Sequence, residues 1–75
     1  MGDRGTPRLT ADQVLSVLRR HGFALAGSAG SHQKWRNVST AKQVIVPYHR
    51  GRILPLGTMR AIIEGSGIDP SNWTK

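Results

Sequence analysis

Apolar positions along the 75-residue chain fall into five short stretches, two spaced as helices and three alternating or β-branched as strands. The first follows Thr10-Ala11-Asp12-Gln13, which reads as a capping box. The Thr10 hydroxyl closes the helix start, Gln13 reaches back, and Asp12 complements the positive end of the helix dipole. Val14, Val17, Leu18 and His21 then share one stripe, with Leu15 at its border. Arg19 and Arg20 lie near the negative end, and Gly22 stops the helix after about three turns.

Phe23-Ala24-Leu25-Ala26-Gly27 alternates large and small residues, which predicts a strand with one packed face, broken by a tight turn at Gly27-Ser28-Ala29-Gly30. Residues 32–37 form the second strand. Alternation puts Gln33, Trp35 and Asn37 on one side and His32, Lys34 and Arg36 on the other, so an inward Trp35 leaves His32 exposed beside both cations. After a polar hairpin loop over 38–42, Gln43-Val44-Ile45-Val46-Pro47 is the third strand, and Tyr48 continues the face of Val44 and Val46. His49-Arg50-Gly51-Arg52 is a basic loop. Pro55 opens a second helix with Leu56, Met59, Ile62 and Ile63 as its buried stripe, ended by Gly65-Ser66-Gly67.

The order α-β-β-β-α predicts an α+β domain in which both helices lie over one face of a three-stranded antiparallel sheet. His32, Lys34 and Arg36 then occupy the open face. Residues 1–8 are expected to be a flexible N-terminal segment, residues 9–68 the domain, with Ile68 tucked onto its core, and residues 69–75 a C-terminal tail. Trp73 in that tail either packs on the domain or serves as an aromatic anchor for a partner.

Composition narrows what such a domain does. A chain of this length buries only about 60% of its unfolded surface, so its stability is marginal without a partner. Zero cysteines exclude disulfide scaffolds, cysteine zinc sites and thiol nucleophiles together. There is no apolar run long enough to cross a membrane and no hydrophobic signal core at the start, which points to the cytoplasm. Eleven Lys and Arg against four Asp and Glu give a formal charge of +7, so the natural partners are polyanions, either nucleic acid or an acidic protein.

The candidate chemistry centres on Gly30-Ser31-His32-Gln33-Lys34-Trp35-Arg36. RNA carries its own nucleophile in the 2′-hydroxyl. Cleavage therefore needs a base for that oxygen, an acid for the leaving 5′-oxygen, and cations for the developing phosphorane charge. His32 suits either proton task near neutral pH, and Lys34 and Arg36 suit the phosphate. The plainer alternative is that His32 caps or hydrogen-bonds the turn. His49 is the second candidate, as complementary acid or as a phosphate contact beside Arg50 and Arg52; a merely solvated basic loop is its alternative. His21 reads as a core-edge or capping histidine.

Other chemistries fit poorly. The three histidines match no zinc spacing, and Asp3, Asp12, Glu64 and Asp69 gather nowhere, so neither a metal nor another cofactor is expected. Ser31 and His32 are adjacent in a strand and point apart, and no carboxylate is available to orient them, which rejects a serine hydrolase. The glycines of residues 27–30 lack the lysine and helix of a phosphate-binding loop. Trp35 could stack on a base, but its alternation with polar neighbours assigns it to the core.

His21-Gly22-Phe23, Gly30-Ser31-His32, Val44-Ile45-Val46-Pro47-Tyr48-His49 and Gly57-Thr58-Met59-Arg60-Ala61-Ile62-Ile63, in this order and spacing, resemble the HicA (YcfA-like) toxins of toxin-antitoxin pairs. The resemblance runs from about Leu9 to about Ile68. It implies a double-stranded-RNA-binding-domain-like fold and metal-independent cleavage of mRNA, with the family's catalytic histidine at His32. It further implies a HicB-like antitoxin that covers the His32 face, with DNA engaged only indirectly through the antitoxin complex. Two other readings stand beside it: a non-catalytic RNA-binding module, and an interaction protein whose basic surface serves an acidic partner.

Overall fold

The computed structural model describes residues 5–73. Residues 1–4 of the expected N-terminal segment, Asp3 among them, and residues 74–75 of the expected tail lie outside the described residues. The elements follow in the order α1 (Ala11–Arg20), β1 (Ala24–Ala29), β2 (His32–Asn37), β3 (Lys42–Pro47), α2 (Leu56–Ser66) and a 3₁₀ turn (Pro70–Trp73). The sheet is antiparallel with β2 in the centre.

Local chemistry explains most boundaries. The Gln13 N–H donates to the Thr10 hydroxyl at 3.3 Å and the Thr10 N–H to Gln13 Oε1 at 2.9 Å, which completes the capping box and starts α1. Gly22, at φ +90°, stops it in a conformation that a side chain disfavours. Gly67, at φ +71°, does the same for α2, and Pro55 precedes that helix as its N-cap.

One core joins both helices to one face of the sheet. Val14, Val17 and Leu18 of α1 and Met59 and Ile62 of α2 are buried with Trp35, Val44 and Val46. Leu56 and Ile63 of the expected α2 stripe are only partly buried, and Ser66 takes a buried place at its end. Ile68 is buried. Trp73, only 1% exposed, packs into the same core, so residues 70–73 of the expected tail close the domain beside α1. Before α1, the Leu54 N–H donates to the Leu9 carbonyl at 2.8 Å, and Thr10 pairs with Ile53 in an isolated bridge.

The first hairpin departs from the sequence expectation. β1 runs through Gly27, Ser28 and Ala29, and the tight turn consists of Gly30 and Ser31 alone, between the paired Ala29 and His32. Ladder pairing to β2 outweighs the weak strand preference of glycine and serine, which is a context effect rather than a local one. Gly30 has φ +59° and Ser31 does not have a positive φ, the pattern of a II′ hairpin turn with glycine first. The register slips between Leu25 and Gly27, which marks a bulge at Ala26. Leu25 faces the helix side, opposite Trp35, yet remains 53% exposed because neither helix covers this edge. No helix among the described residues is long and apolar enough to cross a membrane.

Candidate functional site

Strand alternation in β2 sorts its side chains into two sets. Trp35 and Asn37 are buried and Gln33 half-buried on the helix face, while His32, Lys34 and Arg36 are exposed on the other. The inward set is anchored by hydrogen bonds. The Trp35 indole N–H donates to Gln33 Oε1 at 3.0 Å, and Asn37 Nδ2 donates to the His21 carbonyl at 2.9 Å. Asn37 Oδ1 also accepts from the Ser39 and Thr40 N–H groups, which closes the second hairpin loop. With Trp35 and Asn37 fixed, the period of two fixes the outward row. Its members stand about 7 Å apart along the strand.

Cross-strand neighbours keep that row accessible. His32 lies between Ala29 and Pro47, Lys34 between Gly27 and Ile45, and Arg36 between Ala24 and Gln43. On the β1 side every neighbour is glycine or alanine. The result is a shallow groove of about 350 Å³ lined by Gly27, Ser28, Ala29, His32, Lys34 and Ile45. Gly27, Ser28 and Ala29 have the local preferences of a turn, so their place along this groove is not evident from the sequence. A signal lies nonetheless in the glycine-first pair Gly30-Ser31, which by itself suffices for a hairpin turn.

The turn that presents His32 is held by the backbone. The Tyr48 N–H donates to the Ser31 carbonyl at 2.7 Å, and among the described residues no hydrogen bond engages the His32 imidazole. The alternative role of His32 as a turn cap therefore finds no bond to rest on.

His49 and Arg52 lie together in a different depression, of about 260 Å³, with Pro47, Leu54, Pro55 and Thr58. Pro47 is also the cross-strand partner of His32, so the proline stands between the two histidine sites. The Arg52 N–H donates to the His49 carbonyl at 3.1 Å, and Gly51 has φ +75°, as the third position of a type II turn requires. Arg50 is exposed at the tip of this turn and lines neither depression. His21 differs from its expected role. Its side chain is exposed, and its backbone carbonyl, rather than its imidazole, makes the contact to Asn37.

The carboxylates are placed elsewhere. Asp12 accepts from the Tyr48 hydroxyl at 2.8 Å on the helix side, Glu64 is on α2, and Asp69 accepts from the Ser71 N–H at 2.9 Å beside the 3₁₀ turn. That bond, from the Ser71 backbone first and its side chain second, holds the Asp69 carboxyl below its ordinary value. Among the described residues no three His, Asp or Glu side chains gather as metal ligands would. Among the described residues the open face thus carries cations and an imidazole without a neutralising acid, which suits a phosphodiester backbone.

A family model described as HicA toxin of bacterial toxin-antitoxin matches residues 11–68, a span that begins with α1 and ends one residue past the cap of α2. No curated protein matches the chain.

Proposed function

The chain belongs to the HicA toxin family of bacterial toxin-antitoxin systems, and on that premise we propose that it is a metal-independent endoribonuclease that cleaves mRNA and so inhibits translation. The observation that carries this reading is the row of His32, Lys34 and Arg36, exposed on a face that has no carboxylate among the described residues. The 2′-oxygen attacks the adjacent phosphorus while its proton passes to a base. The bond from phosphorus to the 5′-oxygen breaks, and that oxygen receives a proton. The products are a 2′,3′-cyclic phosphate and a 5′-hydroxyl.

His32 serves as the base or the acid of this exchange, and Lys34 and Arg36 offset the phosphorane charge. His49, across Pro47, is the candidate for the complementary proton transfer, with Arg50 and Arg52 as contacts for flanking phosphates. One positioned proton carrier contributes about 10²- to 10⁴-fold. A HicB-like antitoxin is the proposed inhibitor, covering the His32 face, and both proteins act in the cytoplasm. DNA is engaged only through their complex.

End-group analysis of RNA incubated with the purified protein in chelator tests the chemistry. A 2′,3′-cyclic phosphate that disappears with a folded His32→Ala variant is the expected result; equal cleavage by that variant would remove His32 from the mechanism. The separation of His32 and His49 into two depressions favours one rival, a non-catalytic RNA-binding module. That rival predicts a salt-sensitive complex and intact RNA.

A further inference from the structure

The two edges of the sheet are built differently. β3 begins at Lys42 and ends at Pro47, both residues that discourage further strand pairing, and α2 leans on it closely enough that a Cβ at Gly65 would stand 3.2 Å from Val44. β1 is Ala24-Leu25-Ala26-Gly27-Ser28-Ala29, with no charge and no proline. Among the described residues no strand pairs with its outer side. Its one irregularity is the bulge at Ala26, and residues 27–29 beyond it pair regularly with β2.

The two flanks of this free edge also differ. On the open face, Ala24, Gly27 and Ala29 leave a low path toward Arg36, Lys34 and His32. A strand added beside β1 lies about 10 Å from β2, two strand spacings away, a gap that a glutamate and a lysine can bridge across residues that have at most a methyl group. On the helix face lies a larger depression, of about 730 Å³, in which Leu25 is the exposed apolar side chain above the buried Leu15, Phe23 and Trp35. Asp12 and Arg19 border it. Arg19 is engaged over the Trp35 ring at 5.1 Å, and Asp12 by Tyr48, so this flank offers apolar surface and no unengaged cation.

We propose that β1 is a strand-addition site for an extended segment of an acidic partner protein, in which acidic side chains turned toward His32, Lys34 and Arg36 alternate with apolar ones turned toward Leu25. Charge decides the occupant. A second copy of this chain brings another +7 and no acid on its own β1, whereas an acidic segment supplies the sign that the open face lacks. Backbone pairing supplies affinity and the alternation supplies specificity, as in other strand additions. The inference rests on the family's having an antitoxin, and it adds to the proposed coverage of His32 a geometric means: acids delivered from β1 compete with phosphate for the same cations.

Amide hydrogen exchange on the full chain tests this, with a capped heptapeptide of alternating glutamate and valine as the probe. A peptide of the same composition, with valines and glutamates in separate blocks, is the control. The alternating peptide is expected to slow exchange at residues 24–29 at least tenfold, and the block peptide to bind at least tenfold more weakly. Lys34→Glu is expected to weaken binding of the alternating peptide by tenfold or more, and Leu25→Ser by about threefold; both positions are exposed. Equal binding of both peptides, protection confined to β3 or the helices, or peptide-independent pairing of two copies through β1 would each overturn the proposal. RNA cleavage is not the readout. A protein inert toward RNA leaves the strand-addition result intact, and a protein that cleaves RNA without protection of β1 defeats this inference alone.

Discussion

The Tyr48 hydroxyl donates to Asp12 at 2.8 Å, which ties the residue after β3 to the first turn of α1, 36 positions earlier. The Tyr48 N–H meanwhile donates to Ser31 beside His32. One residue thus links the helix layer to the hairpin that presents the candidate site. Tyr48→Phe removes the hydroxyl and keeps the ring, which packs against the core. The expected cost is about 1 kcal/mol, read as a lower urea midpoint at unchanged slope.

Lys34 and Arg36 stand in one exposed row, and their contribution to RNA binding is expected to be electrostatic. For single-stranded RNA, each cation that contacts a phosphate adds about 0.7 to the slope of log affinity against log salt. Lys34→Gln and Arg36→Gln should each flatten that slope by about this amount, and the double variant by about twice as much. Slopes unchanged in both single variants would place the RNA on another surface.

Gly30 has φ +59°, and nothing lies within 4 Å of a Cβ built there, so the backbone angle alone demands glycine. Gly30→Ala should cost about 1–2 kcal/mol. A synthetic chain with D-alanine at this position is expected to match or exceed the natural stability, since its angle preference is mirrored. Equal loss with both enantiomers would point to crowding instead.

Trp73 is buried at the core, and among the described residues its indole N–H has no hydrogen-bond partner. Trp73→Ala should destabilise by about 3–5 kcal/mol through the cavity it leaves. Trp73→Phe should cost much less, because it also removes a buried donor whose missing bond carries a penalty of about 1–3 kcal/mol. Thermal unfolding of the three proteins provides the comparison.

Asp69 has its carboxyl held below the ordinary value by the Ser71 hydrogen bonds. A depressed folded-state value means that the charged form is favoured by folding. The resulting stability is present above the unfolded value near 3.8 and is lost as pH falls through the lower folded one. Asp69→Asn is therefore expected to unfold at lower urea than the parent at pH 6, with the difference shrinking as the medium is acidified below that range. A gap that widens in acid would contradict the assignment.

Much of this arrangement was legible in the chain. The capping box at Thr10 and Gln13, the stop at Gly22, the outward row of β2 and the inward Trp35 all follow from local rules whose participants are close in sequence. The extent of β1 was not. Gly27, Ser28 and Ala29 have turn-like local preferences, and only the ladder to β2 makes them a strand. The role of His21 was obscured for a related reason: a helical stripe shows which side a residue is on, but not where the sheet beneath ends.

The sequence by itself determined the order of the elements, the absence of thiol chemistry, the basic charge and the set of side chains that share a face with His32, because periodicity and composition are properties of the chain alone. The fold settled that His32 and His49 line separate depressions, that Trp73 is core, that Asp12 is engaged by Tyr48, and that no other described strand covers the outer edge of β1. Those facts depend on which distant segments meet and on what no segment covers, and neither is encoded at any one position.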